Sequence, residues 1–380
     1  MPLLNHRDRV RSALRHSEVD RVPTDLGGIN SSIHRVAYDN LAVYLGIPLA
    51  GQVILDKVQQ IVSPSEEILE RLDTDTRWID PRLPMGSPVK EFPDGSYVDS
   101  WGIKRIPVGH YFEMPRDGHP LRTADIDDLD RYVWPPTSLD ETERQRMEKT
   151  AQYLENETDY AICTFGGSVF ETSWYLRSME KFLIDLLRNV EFACKLMDKV
   201  TDVNIDFFDE LLDAIGQYLD VVMIGDDLAL QSGPMISLDT YRKYVKPRQQ
   251  RLIEAIRRRS KAKILYHSCG SASYFYDDLV SIDVDAVTPV QVSANGMDTA
   301  ELKKKWGKQL TFWGAIDTQH VLPFGSPEDV RKEVEKRIKD LAPGGGYVLG
   351  AVHNIQPDVP PQNIVAMYEH ASKYPSHEST

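Results

Sequence analysis

Cysteine is scarce in this chain: Cys163, Cys194 and Cys269 are the only three in 380 residues. Three thiols cannot make a fully paired disulfide framework, and none stands in a Cys-x-x-Cys pair. That usage suits a reducing compartment, and a cytoplasmic enzyme is the expectation. Long apolar runs are missing too. No stretch approaches 18 uninterrupted apolar residues, so no membrane-spanning helix is expected. The basic start, His6 to Arg15, is not followed by the apolar run of a secretory signal. A positive balance is also lacking: 44 Lys and Arg against 58 Asp and Glu leave a net charge of −14. Polyanions repel such a surface, so nucleic acid and anionic membrane are not expected partners. The glycine loop G-x-G-x-x-G of dinucleotide folds is absent after the first strand-like run.

What is present is an alternation. Short apolar runs rich in β-branched residues occur at 21–26, 76–80, 160–165, 220–225, 262–267, 285–288, 310–314 and 347–352. Stretches of helical spacing separate them. One places Phe182, Leu183, Leu186, Leu187, Val190, Ala193 and Leu196 on a common face over 179–197, and the pattern continues over 200–215. Another opens at Ser326-Pro327-Glu328 and stops at Gly344-Gly345-Gly346. Strand and helix repeated in this way mean βαβ units and a parallel sheet. Eight strands without a nucleotide loop point to an α/β fold, one (β/α)8 TIM barrel spanning 1–380. Residues 81–120 break the alternation. They are rich in Pro and Gly, with turn signals at Asp94-Gly95 and Asp117-Gly118, and read as a small β excursion after strand two, a lid or a decorated loop at the barrel mouth.

In a barrel, residues at the C-terminal ends of the strands converge on one cavity. Those ends carry Asp25, Asp80, Gly166-Gly167, Asp226-Asp227, His267-Ser268-Cys269, Gln291, Asp317 and His353. His267 and Cys269, one residue apart, can turn an imidazole and a thiol into the same space, and His353 reaches that mouth from the eighth strand. Two imidazoles and a thiolate suit a catalytic zinc with its fourth position open; a buried free cysteine beside hydrogen-bonded histidines is the plainer alternative. Asp226 and Asp227 cannot both point the same way on a strand. Asp226 is expected to face the cavity, for proton transfer or substrate anchoring, with a cap for the following segment as the alternative. Glu171 is a candidate for proton transfer or ligation, or a carboxylate placed at a helix start by the dipole. Asp25, Asp80, Asp227, Gln291 and Asp317 are candidate substrate-binding groups.

With these residues assembled, the chain resembles the uroporphyrinogen decarboxylase superfamily from residue 7 to about residue 371. The resemblance is carried by Asp20-Arg21-Val22-Pro23, by Gly225-Asp226-Asp227 and by Phe312-Trp313-Gly314-Ala315-Ile316-Asp317. To these the eighth strand adds His353-Asn354-Ile355-Gln356-Pro357-Asp358-Val359-Pro360-Pro361. It implies a (β/α)8 barrel. True decarboxylases of this superfamily carry Arg-Gln-Ala-Gly-Arg at the first strand to hold substrate carboxylates; Thr24-Asp25-Leu26-Gly27-Gly28 stands here instead. The corrinoid-linked methyltransferase branch uses a His-x-Cys pair and a later Cys as zinc ligands. His267 and Cys269 match the pair, His353 occupies the later position, and Asp99-Ser100-Trp101-Gly102 is also more like this branch. The resemblance implies a zinc ion as Lewis acid. A methyl group would move between a small O-, N- or S-methyl compound, or a thiol, and a corrinoid (methylcobalamin). The corrinoid would ride on a partner protein, because no corrinoid domain is visible here. Asp226 and Glu171 would orient or protonate the substrate. The assembly state stays open, a homodimer included. Two other readings stand beside it: a metal-free decarboxylase or lyase acting through Asp226, and a non-catalytic barrel that binds a small molecule.

Overall fold

The structure is a computed structural model that describes residues 3–49, 51–82 and 88–376. Seven parallel strands lie side by side in chain order: Thr76–Ile79, Ala161–Phe165, Val221–Gly225, Lys263–His267, Ala286–Thr288, Thr311–Ile316 and Tyr347–Ala351. The first apolar run closes the ring. Asp25 donates its N–H to the Leu349 carbonyl at 2.9 Å, and Leu349 donates to Pro23 at 2.8 Å. On the other side, Asp75 donates to the Thr24 carbonyl at 2.9 Å. Residues 23–25 therefore stand between the eighth and second strands as the eighth stave of the barrel. Pro23 has no N–H to contribute, which fits a bridge rather than a full ladder at this seam.

Strand periodicity sorts the side chains into two cores. Ala161, Cys163, Phe165, Val221, Met223, Leu265, Ala286, Trp313 and Val348 fill the barrel, plugged from one end by Val10, Ala13 and Leu14 of the N-terminal helix. Their alternates, among them Ile162, Val222, Ile224, Ile264, Tyr266 and Phe312, pack under the surrounding helices. Asp75 ties that N-terminal helix to the barrel, with Arg9 at 2.6 Å, Arg21 at 2.7 Å and the Thr24 N–H at 2.7 Å. The Asp20-Arg21 motif thus serves the fold, as part of this buried charge network.

Helix Pro327–Leu341 begins as its sequence indicates, with Ser326 and Asp329 forming a reciprocal capping box. The helix expected over 179–197 is in fact two, Met179–Arg188 and Val190–Ile215, broken at Asn189, whose φ of −139° is not helical. An apolar stripe continues unchanged through such a break, so spacing alone could not reveal it. No described helix is long and apolar enough to cross a membrane.

The excursion is an antiparallel sheet of Pro88–Glu91, Tyr97–Asp99, Lys104–Val108 and Tyr111–Glu113, paired in that order. Residues 83–87, which fall inside the expected 81–120 span, lie outside the described residues. Asp94-Gly95 makes the expected tight turn, with Gly95 at φ +81°. Asp117-Gly118 turns the chain only after the last strand, closing on the Pro115 carbonyl at 2.7 Å. A second antiparallel addition follows the first barrel strand: Ile33–His34, Ile61–Ser63 and Val53–Asp56. The sequence reading did not foresee it. The two additions join where Phe112 donates to the Val58 carbonyl at 2.9 Å, and together they border the mouth of the barrel.

Candidate metal centre and barrel mouth

The site begins with strand parity. Leu265 points into the barrel, so His267, two residues on, does the same at the strand's C-terminal end. Gly225 lies opposite in register, and a Cβ there would stand 2.4 Å from the His267 carbonyl. A glycine is what lets the fourth and fifth strands approach beneath the imidazole. The chain then turns through Ser268 and Cys269 to Gly270, at φ +79°. This loop is pinned from three sides: Gly270 donates to Gln291 Oε1 at 2.6 Å, Cys269 N–H to Asp227 Oδ1 at 2.8 Å, and Leu228 N–H to Ser268 Oγ at 3.1 Å. His353 follows the last strand. Asn354 fixes its backbone by accepting from Ser32 N–H and donating to the Ile29 carbonyl, each at 2.9 Å.

One donor atom each from His267, Cys269 and His353 lies within 4.8 Å of the other two. His267 Nε2 and Cys269 Sγ are 3.6 Å apart, and the two imidazoles meet edge to face at 5.5 Å. Zinc–ligand bonds of about 2.0–2.3 Å in a tetrahedron give ligand–ligand edges of about 3.6 Å. The His267–Cys269 pair already has that spacing; closing the rest asks only for side-chain adjustment. The protonation chemistry fits as well. Burial pushes His267 down to about 3, and burial with the neighbouring His267 takes His353 down to about 4, so both rings are neutral and able to ligate at neutral pH. Burial and Asp227 push the Cys269 thiol up. A cation at the cluster is what would hold it as a thiolate. The buried Nδ1 of His267 has no hydrogen-bond partner among the described residues, which leaves the ring's polar contacts on the Nε2 side.

The paired aspartates are placed the other way round from the expectation. Asp226 turns out of the cavity and caps the helix Phe170–Arg177, accepting from Val169 and Glu171 N–H at 2.8 Å each, and from Gln249 Nε2 at 2.7 Å. Burial nevertheless pushes it up, to about 7. Asp227 is the one at the cluster, with Oδ1 3.7 Å from His267 Nε2. Glu171 borders the cavity, accepts from Tyr175 OH and is pushed up to about 8 by burial and by Asp227.

The remaining candidates occupy other surroundings. Asp25 is fully buried inside the barrel, accepting from Thr76 at 2.5 Å, Trp78 Nε1 at 2.7 Å and Trp313 Nε1 at 2.8 Å. Asp80 closes its own turn through Arg82 N–H at 2.8 Å. Asp317 caps the backbone of Gln319 and His320 at 2.6 and 2.8 Å. Gln291 holds the cysteine loop. Next to the cluster lies a cavity of about 190 Å³, lined by Ile29, Phe165, Glu171, Tyr175 and His267 together with Asp56 and Arg105 from the two added sheets. Sequence reasoning missed Tyr175, Asp56 and Arg105. The one available signal for Arg105 was its place in the β excursion expected over 81–120.

Comparison with known proteins agrees with this architecture. The sequence pattern of the family described as Uroporphyrinogen decarboxylase (URO-D) matches residues 108–374. A uroporphyrinogen decarboxylase of Alkalilimnicola ehrlichii is 22% identical over 306 residues, covering 74% of this chain and 77% of its own. One of Xanthomonas campestris is 23% identical over 381 residues, covering 95% and 97%. Among solved structures, a methyltransferase from Methanosarcina mazei superposes with a TM-score of 0.66 at 16% identity, over 97% of this chain and 99% of that one. At that identity the likeness is one of fold.

Proposed function

Because the chain belongs to the uroporphyrinogen decarboxylase family, where one barrel serves more than one chemistry, we propose that its mouth is a zinc-dependent methyl-transfer site. The observation that carries this reading is the His267–Cys269–His353 cluster, with its 3.6 Å nitrogen–sulfur spacing. These three side chains would hold the ion and leave one position open. When bound, zinc supplies Lewis acidity toward a thiol or a methyl-bearing heteroatom. Asp227 fixes the cysteine loop through the Cys269 N–H and faces His267. Burial and the Asp227 charge push Glu171 up to about 8, so Glu171 holds a proton at neutral pH that it can give to a departing heteroatom, and Asp227, beside His267, is placed to accept the proton of an incoming thiol. Asp226 acts at one remove: by capping the helix it positions Glu171 and Tyr175. The substrate is a small O-, N- or S-methyl compound or a thiol, and the other methyl carrier is a corrinoid brought to the mouth by a separate protein.

The test is elemental analysis of the purified chain, followed by methyl transfer between small methyl donors and free reduced cobalamin, read by its absorption spectrum. About one zinc per chain and turnover that stops in Cys269→Ser support the reading. A metal-free preparation that releases carbon dioxide from a carboxylated substrate overturns it in favour of the decarboxylase that the relatives' names suggest. Against that second reading, the Asp226 carboxylate is engaged by two backbone N–H groups and Gln249.

A further inference from the structure

We propose that Arg105 is the anchor for an oxyanion on the substrate, so that the small molecule received by this cavity carries one carboxylate or like group. The proposal rests on the methyl-transfer reading only for what happens at the metal cluster. Arg105 stands on Lys104–Val108 of the excursion, on the face that the strand turns inward, and is 5% exposed. It borders the same cavity as His267 and Glu171. Its Nε makes no hydrogen bond among the described residues. The nearest carboxylate oxygen, Asp99 Oδ2, is 4.0 Å away, beyond hydrogen-bond range. The other Asp99 oxygen accepts from the Trp101 and Ile103 N–H groups at 3.0 Å each, so Asp99 gives Arg105 a one-oxygen ion pair and no bidentate contact. Asp56, also on the cavity wall, accepts from Val58 N–H at 2.7 Å. Tyr175 presents its ring 5.3 Å from the guanidinium and limits where the fork can point.

A guanidinium taken out of water and left without a bidentate partner is costly to the fold. Its planar fork matches a carboxylate, and a cation kept in a cavity wall in this state is suited to a ligand that completes it. The charge count narrows the class further. Among the described residues lining the cavity, Arg105 is the one Lys or Arg. One cation accommodates one anionic group, which separates this substrate from a polycarboxylate.

Isothermal titration of the full chain tests this with 3-methoxypropanoate and its neutral counterpart 3-methoxypropanamide, in zinc-loaded and chelated protein. The carboxylate should bind about tenfold or more tightly than the amide. In Arg105→Met the two affinities should converge to within about twofold, and Arg105→Lys, which keeps the charge but loses the fork, should retain part of the difference. Equal binding by the wild type, binding of neither probe, or a preference that survives in folded Arg105→Met overturns the proposal. Should the methionine variant not fold, the wild-type comparison still decides. A preference that persists without zinc or turnover leaves the anchor standing while the methyl-transfer reading falls; zinc and turnover without the preference give the reverse.

Discussion

Cys269 is the residue on which the cluster's chemistry turns, because among His267, Cys269 and His353 it alone brings a formal negative charge to a cation there. Cys269 is partly buried, and its sulfur lies 3.6 Å from His267 Nε2. Cys269→Ser should therefore lower zinc content from about one per chain to a small fraction while shifting the thermal midpoint little, checked by elemental analysis and a melt. Glu171 makes a second residue-level prediction. Its folded pKa of about 8 lies above its ordinary 4.5, so the folded state holds the proton more tightly than the unfolded chain. The sign follows: the stabilising contribution is complete below about pH 4.5 and is lost as pH rises through about 8. Glu171→Gln, which stays neutral, should gain stability relative to wild type over that window, by at most about 1.4 kcal/mol per pH unit, read from urea unfolding at a series of pH values. Residue identities at the mouth were legible where parity was applied. Inward Val221 and Met223 put Asp227, not Asp226, on the inward face; counting from the strand's core residues corrects the choice. Arg105 was harder, because a buried cation in an excursion looks in sequence like a solvated one.

At the scale of elements, the capping of helix Phe170–Arg177 by a residue from another strand is what joins the third and fourth barrel units at the site. Removing that carboxylate in Asp226→Ala leaves the N–H groups of Val169 and Glu171 and the Gln249 amide without their partner in a buried place. The expected cost is at least about 2 kcal/mol. It should appear as a lower urea midpoint with unchanged slope, and zinc should remain bound, because no ligand has been touched. Barrel strands were the most legible elements, since each pairs an inward and an outward apolar set in a short run. The hairpin of Val53–Asp56 and Ile61–Ser63 was not, because Val53 and Ile54 remain exposed and its alternation is short. Its position beside the cavity, like that of the excursion, is set by long-range packing that no local pattern encodes.

On the scale of the whole molecule, the fold does not choose the reaction: relatives named as decarboxylases and a structure named as a methyltransferase share it. The choice is made by charge and room at the mouth. A tetrapyrrole polycarboxylate needs several cations and a wide opening. The cavity here is about 190 Å³, below the usual range of about 300–1,000 Å³ for ligand pockets, and Arg105 is its one lining cation among the described residues. Where arginines would clamp that substrate, Asp25 is buried and held by two indole N–H groups and the Thr76 hydroxyl. Purified protein should accordingly form no coproporphyrinogen from uroporphyrinogen above a blank, checked by chromatography of the oxidised porphyrins; robust conversion would overturn the argument. Asp25→Arg should not create the activity either. The new cation would sit inside the barrel against Trp78 and Trp313, whose N–H groups are donors and cannot accept from it. The expected result of that substitution is a loss of folded protein, because an unpaired charge has been placed in the barrel core.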